Sequence, residues 1–221
     1  MIQALIFDFD GLILDTEVPE FQAWQEIYQE HGCHLPLSIW ATCIGASSDT
    51  FDPYAYLESL TGRPVERDII RSKRRRRIGE LLETQAILPG VEEYITDAKR
   101  LGLKLGLASS SPGDWVTGHV LRLGIKEHFD CIKCSEDVKE VKPAPDLYQS
   151  VLESLNISAD EAIALEDSPN GILAAKRAGL FCVVVPNSLT RQLSLDQADI
   201  RLTSLSDLPL RALLWQVIEK R

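Results

Sequence analysis

Short, dense apolar runs alternate along the chain with stretches in which apolar residues recur every three or four positions. Residues 2–7, 104–108, 129–134, 162–165 and 181–185 are the short runs. Each stops at polar or turn-forming residues, so each predicts a buried strand. Helical spacing fills the gaps. Val18, Phe21, Trp24, Ile27 and Tyr28 form one stripe, closed by Gly32. Val91, Ile95, Ala98 and Leu101 form another before Gly102, and Trp115, His119, Val120 and Leu123 a third before Gly124. Residues 147–155, 171–178 and 208–218 complete the helices. Strands alternating with helices in this way predict an α/β fold, a doubly wound, Rossmann-like parallel sheet covered on both faces.

One block breaks the alternation. Residues 35–86 carry helical patterns at 37–44, 54–60 and 69–82 and no strand signal. An all-helical block between the first strand and the rest reads as an insertion beside the sheet. The expected division is an α/β core of residues 1–15 and 88–221 and a helical cap of residues 16–87. Gly45-Ala46-Ser47-Ser48 interrupts the block as a polar loop.

Composition narrows the function. The chain has 221 residues, 45% apolar and 25% charged, enough for one good core with a small addition. No apolar stretch reaches the length of a membrane span, and the chain opens directly into a strand, which predicts a cytoplasmic protein. A formal charge of −10, from 33 acidic and 23 basic residues, argues against nucleic-acid or anionic-membrane partners. The one basic cluster, Lys73 to Arg77, would point nearly all round a helix, so most of it should be solvated. Five scattered cysteines make no disulfide framework. Cys131 and Cys134 have redox-like spacing, but on a strand residues three apart face opposite sides.

The chemistry gathers at the strand ends. The first strand stops at Asp8-Phe9-Asp10-Gly11. Two carboxylates about 4 Å apart repel by roughly 4 kcal/mol at an effective dielectric near 20, so such a pair calls for a cation or a shared proton. Later strands end at Ser109 and at Glu166-Asp167, and Lys142 precedes a Pro-Ala-Pro loop. Parallel strands bring their carboxyl ends to one edge of a sheet, so these groups can converge. The carboxylates suit a hard metal ion. The hydroxyl, the helix start after it and the ammonium suit a phosphoryl group.

The set Asp8-x-Asp10-Gly11, Ser109, Lys142-Pro143 and Glu166-Asp167, in that order, resembles the four motifs of the haloacid dehalogenase superfamily and spans essentially the whole chain. The stretch Asp8 to Glu17 is most similar to the phosphoglycolate-phosphatase and β-phosphoglucomutase branch. The resemblance implies that Asp8 is the nucleophile and forms an aspartyl-phosphate, and that Asp10 is the general acid and base. It implies that Ser109 and Lys142 hold the phosphoryl group. It also implies Mg²⁺ on Asp8, the Asp10 carbonyl and Asp167, with Glu166 nearby. Ser110 is expected to offer N–H donors, and Glu17, Ser47, Ser48 and Arg77 to face the substrate, Arg77 by its spacing to the Pro-Gly at 89–90.

The implied activity is Mg²⁺-dependent hydrolysis of small phosphomonoesters, sugar phosphates or nucleotide monophosphates, by a monomer whose cap opens and closes. A phosphomutase is the alternative within the same fold. It is disfavoured because Glu20 stands where the β-phosphoglucomutases carry a His, and Ser48 where they carry an Arg. A non-catalytic domain phosphorylated on Asp8, for regulation or binding, is the alternative from another class. Redox chemistry at Cys131 and Cys134 is the weakest reading.

Overall fold

A computed structural model describes residues 1–41, 44 and 51–220. Six parallel strands form one sheet in the order β3-β2-β1-β4-β5-β6: β1 (Ala4–Phe7), β2 (Lys104–Ala108), β3 (Cys131–Lys133), β4 (Ala162–Glu166), β5 (Phe181–Val184) and β6 (Ile200–Arg201). β1 lies between β2 and β4, with Phe7 beside Leu107 on one side and Leu165 on the other. The strand order reverses there, which opens a crevice beyond the carboxyl ends of these three strands.

Side chains alternate across β1 and build two cores. Leu5 and Phe7 join a cluster with Tyr94, Ile95, Val116, Val120 and Leu213. These residues come from α5 (Val91–Arg100), α6 (Gly113–Arg122) and α9 (Leu210–Lys220). Ala4 and Ile6 face the other way, onto α7 (Asp146–Leu155) and α8 (Pro169–Arg177), through Tyr148, Val151, Ile172 and Ala175. Cys131 packs on the second cluster and Cys134 in the first, so the pair lies across the sheet as a strand requires.

Between β1 and α5 the described residues hold helices and no strand: α1 (Glu17–Glu30), α2 (Leu37–Trp40), α3 (Pro53–Thr61) and α4 (Arg67–Glu83). They share a third, aromatic-rich cluster of Phe21, Trp24, Tyr28, Trp40, Leu57 and Ile70. Asp52 accepts from the backbone N–H of Tyr54 and Ala55, with Pro53 in the first turn, and so starts α3. The cluster meets the core at Leu189 and through the Asn170 amide, which donates to the Ile44 carbonyl at 2.9 Å.

The basic run stays largely exposed to solvent, and most of it is also paired. α1 carries Glu20, Glu26 and Glu30 toward α4, and they pair with Arg74, Arg77 and Lys73, while Arg76 pairs with Glu80 on its own helix. Only Arg75 of the run has no ion pair among the described residues. The last strand, β6, has two residues, too few to carry any periodicity. Smaller shifts have local causes. α8 starts at Pro169 rather than 171, because the Ser168 side chain caps it and proline fits a first helical turn.

Candidate active site

The backbone turns sharply as β1 ends. The Asp8 N–H donates to the Leu165 carbonyl of β4, and the N–H groups of Ile13 and Leu14 turn back to the Phe9 carbonyl. Gly11 sits at φ +81°, and a Cβ there would meet Asp167 Oδ2 at 2.3 Å. A glycine is required by conformation and by space.

This turn leaves Asp8 among charges. Lys142 Nζ donates to Asp8 Oδ1 at 2.6 Å and to Glu166 Oε1 at 2.7 Å. All three side chains are buried. The Tyr148 hydroxyl also donates to Glu166 Oε1, at 2.6 Å. The other oxygen of Glu166 accepts from the backbone N–H of Asp167 and Ser168 and from the Ser168 hydroxyl. Asn187, just past β5, donates its amide to Asp167 Oδ2 at 2.8 Å.

The charges do not balance. Asp8, Glu166 and Asp167 offer carboxylate oxygens within 4.8 Å of one another, against the single ammonium of Lys142. Burial pushes Asp8 up to about 8, with Lys142 opposing and Glu166 and Asp10 adding to the rise. Burial, then the charges of Asp8 and Glu166, hold Asp167 well above the carboxylate range. For Lys142, burial favours the neutral amine, but Asp8 and Glu166 outweigh it and keep the ammonium charged. Such a cluster takes up protons or a divalent cation. Its all-oxygen, anionic donor set fits a hard cation. Both oxygens of Glu166 are already engaged, so Asp8 and Asp167 are the freer donors.

Asp10 has a separate set of partners. Thr16 Oγ1 and the Trp115 indole N–H donate to Oδ1 at 2.8 and 3.1 Å. The Ser109 and Ser111 hydroxyls donate to Oδ2 at 3.1 and 2.7 Å. Ser109 is buried at the end of β2, and its Oγ accepts from the Ser111 N–H. The Ser110 hydroxyl is buried with no hydrogen-bond partner among the described residues.

A cleft of about 1830 Å³ opens over these groups, between the sheet edge and the helical block. Asp8, Asp10, Ser110 and Lys142 line its floor, and Glu17, Arg74 and Arg75 are on its helical side. Glu17 accepts no hydrogen bond among the described residues. Burial, then Asp10 and Glu20, keep its carboxyl well above the usual range. Arg74 pairs with Glu20, lies 5.2 Å over the Trp24 ring, and leaves its buried Nε without a partner among the described residues.

Of the sequence-predicted residues that the structure describes, all but one are thus gathered. Asp8, Asp10, Ser109, Ser110, Lys142, Glu166 and Asp167 meet at the sheet edge, and Glu17 lines the same cleft. Arg77 does not: it is tied to Glu26 at 2.9 Å and to Glu80 at 3.3 Å, one helical turn from Arg74, which lines the cleft. Ser47 and Ser48 lie outside the described residues. Sequence reasoning missed Thr16, Ser111, Trp115, Tyr148 and Asn187. A run of three serines after a strand and a Tyr one turn into the helix after Lys-Pro were the available signals. Trp115 reads as core at helical spacing, and Asn187 as a plain turn residue.

Comparison with known proteins fits this geometry. Residues 5–185 match the model of the haloacid dehalogenase-like hydrolases. A Bacillus subtilis (strain 168) protein named "Putative phosphatase YhcW" is 48% identical, over 97% of this chain and 97% of its own length. The crystal structure of a CbbY variant from Rhodobacter sphaeroides in complex with xylulose-(1,5)bisphosphate superposes with a TM-score of 0.78 at 30% identity, covering 96% of this chain and 99% of that one. A β-phosphoglucomutase from Clostridium difficile superposes with a TM-score of 0.79 at 25% identity, covering 99% and 98%.

Proposed function

The chain belongs to the haloacid dehalogenase-like hydrolases, and from that premise we propose that it is a Mg²⁺-dependent phosphatase of small sugar phosphates that works through a phosphoryl-aspartate on Asp8. The observation that carries this reading is the buried Asp8–Lys142–Glu166 array with Asp10 beside it at the crevice of the sheet. Lys142 holds Asp8 Oδ1 and leaves Oδ2 without a side-chain donor among the described residues, free to attack phosphorus. As that O–P bond forms, the ester P–O bond breaks, and the leaving oxygen takes the proton of Asp10. Asp10 then takes a proton from water, whose oxygen attacks phosphorus and releases Asp8. Ser109 and Lys142 hold the transferring group, with backbone N–H groups at Phe9 and Ser110 as further donors.

Asp8, the Asp10 carbonyl and Asp167 would hold the Mg²⁺, with Glu166 orienting Lys142 beside them. When bound, the ion supplies positive charge against the phosphoryl oxygens. Uncatalysed phosphate-ester hydrolysis is so slow that the site must lower the barrier by on the order of 20 kcal/mol.

Residues 16–87 act as the cap, and their own aromatic cluster supports treating them as a unit over the core. Specificity falls to the cap side of the cleft. Glu17 faces the cleft, where its carboxyl can hydrogen-bond a substrate hydroxyl. Arg74 and Arg75 suit a distal hydroxyl or a second anionic group. The xylulose bisphosphate in the CbbY structure is a ligand of that kind. The free thiols of Cys33, Cys131, Cys134 and Cys182 fit a reducing, cytoplasmic setting, and no helix among the described residues is long and apolar enough to cross a membrane. A cap that must open favours a monomer.

Hydrolysis is preferred to mutase chemistry because Glu20 is occupied. It accepts from Arg74 and from the Trp24 indole at 3.2 Å, so it cannot stand in for a histidine that would hold off water. The test is phosphate release from a panel of phosphomonoesters with Mg²⁺, with chelator, and with Asp8→Asn. Release only with the metal and with Asp8 intact supports the reading. Isomerised sugar phosphate without free phosphate would replace it with a mutase.

A further inference from the structure

Trp115 is one turn into α6, and its indole N–H reaches across to Asp10 Oδ1 at 3.1 Å. Among the described residues three other groups donate to the same carboxylate, and all three are hydroxyls: Thr16 on Oδ1, Ser109 and Ser111 on Oδ2. The difference matters chemically. A hydroxyl can donate or accept by rotating, whereas an indole N–H only donates. Oδ1 is therefore committed as an acceptor. Oδ2 has only reversible partners.

The ring is also fixed in place. It stands edge-on to His119, with centroids 4.4 Å apart, and His119 stacks at 6.0 Å on Phe9, the residue between the two aspartates. Phe9 is wholly buried in the core cluster on which Trp115 packs. The indole cannot turn away from Asp10 without breaking this stack.

We propose that Trp115 is a positioning residue for the proton transfer: its indole N–H, aimed at Oδ1 from a ring held by His119 and Phe9, fixes the plane of the Asp10 carboxylate over the cleft. The proposal rests on the reading of Asp10 as general acid and base. In the first half-reaction Asp10 gives its proton to the leaving alkoxide oxygen as the bond from that oxygen to phosphorus breaks. In the second it takes the proton of the attacking water. The indole N–H, which can only donate, holds the carboxylate in the same place through both.

A tryptophan that only packs would affect all substrates alike, so the test uses two esters of similar shape. p-Nitrophenyl phosphate has a leaving oxygen that needs no proton, and benzyl phosphate has one that does. Trp115→Phe keeps most of the ring and removes the N–H. The expected result is a fall of about tenfold or more in kcat for benzyl phosphate relative to p-nitrophenyl phosphate, within the range of a general-acid contribution. Trp115→His, which retains a ring N–H, should recover part of that ratio. Both rates are taken on one preparation, so the fraction of folded enzyme cancels. A ratio unchanged in both variants overturns the role of Trp115 and leaves the phosphatase reading standing. A wild-type enzyme inert toward both esters, with Mg²⁺ present, overturns the reading of the site and this proposal with it.

Discussion

Lys142 and Asp8 are 134 residues apart in sequence, and their side chains meet at 2.6 Å with almost no exposure to solvent. Among the described residues, Lys142 is also the only cation within ion-pair distance of Glu166. Removing it leaves buried carboxylates unpaired, and breaking a buried pair in this way costs about 3–5 kcal/mol. Lys142→Met should lose that much stability in urea unfolding at neutral pH, and all phosphate release. A loss under about 1 kcal/mol would mean that the ammonium does not hold the cluster together.

The raised Asp8 carboxyl couples metal binding to pH. Its unfolded value is 3.8 and its folded value about 8, so the folded state binds the extra proton. That contribution to stability is fully present below about 4 and is lost as pH rises through 8. A bound cation replaces the proton. Mg²⁺ should therefore raise the Tm more at pH 8 than at pH 5, and chelation should reverse the gain. Asp8→Asn should flatten the dependence. Equal shifts at both pH values would detach the metal from this carboxylate.

Two helical glycines should respond in opposite ways to alanine. A Cβ on Gly171 would fall about 2.0 Å from the Glu166 carboxyl, which Lys142, Tyr148 and Ser168 already hold. Gly171→Ala should destabilise by about 1–3 kcal/mol through overpacking. Gly118 on α6 has nothing within 4 Å, and its replacement should gain up to about 1 kcal/mol from helix propensity. Thermal unfolding of the two variants decides it.

Much of this arrangement can be read from the chain because it is local. The run Ala4–Phe7 has to be buried, the Asp-x-Asp-Gly after it has to turn, and parallel strands have to bring Ser109 and Asp167 to the same edge. What could not be read depends on how one helix lies against another. Arg74 and Arg77 are three residues apart on one helix, and only the docking of α4 on the acidic face of α1 decides which of them reaches the cleft. Trp115 fits a core stripe equally well in sequence, because its ring packs on the core while its N–H leaves it. β6 is two residues long and is held by its neighbour rather than by any pattern of its own.

The two arginines give a direct check of the cap. Arg74 lines the cleft and holds Glu20 there, while Arg77 bridges Glu26 and Glu80 on the outside. Arg74→Ala should raise KM for a bisphosphate or a long sugar phosphate about tenfold or more, the loss of a charge-assisted hydrogen bond of about 1.5–3 kcal/mol. Arg77→Ala should leave KM within about twofold, since exposed pairs contribute 0–1 kcal/mol. The reverse ranking in steady-state kinetics would restore Arg77 to the substrate.

The central claim is that phosphorus is bonded to Asp8 during turnover. Asp10→Asn removes the base that activates water but not the nucleophile, and p-nitrophenyl phosphate needs no acid to leave. Mixing the two with Mg²⁺ should give a burst of p-nitrophenolate equivalent to the enzyme present, followed by a slow phase. Peptide mass spectrometry on the acid-quenched protein should then find the phosphoryl group on the peptide carrying Asp8. Steady release with no burst, and no phosphoryl group on that peptide, would contradict the account.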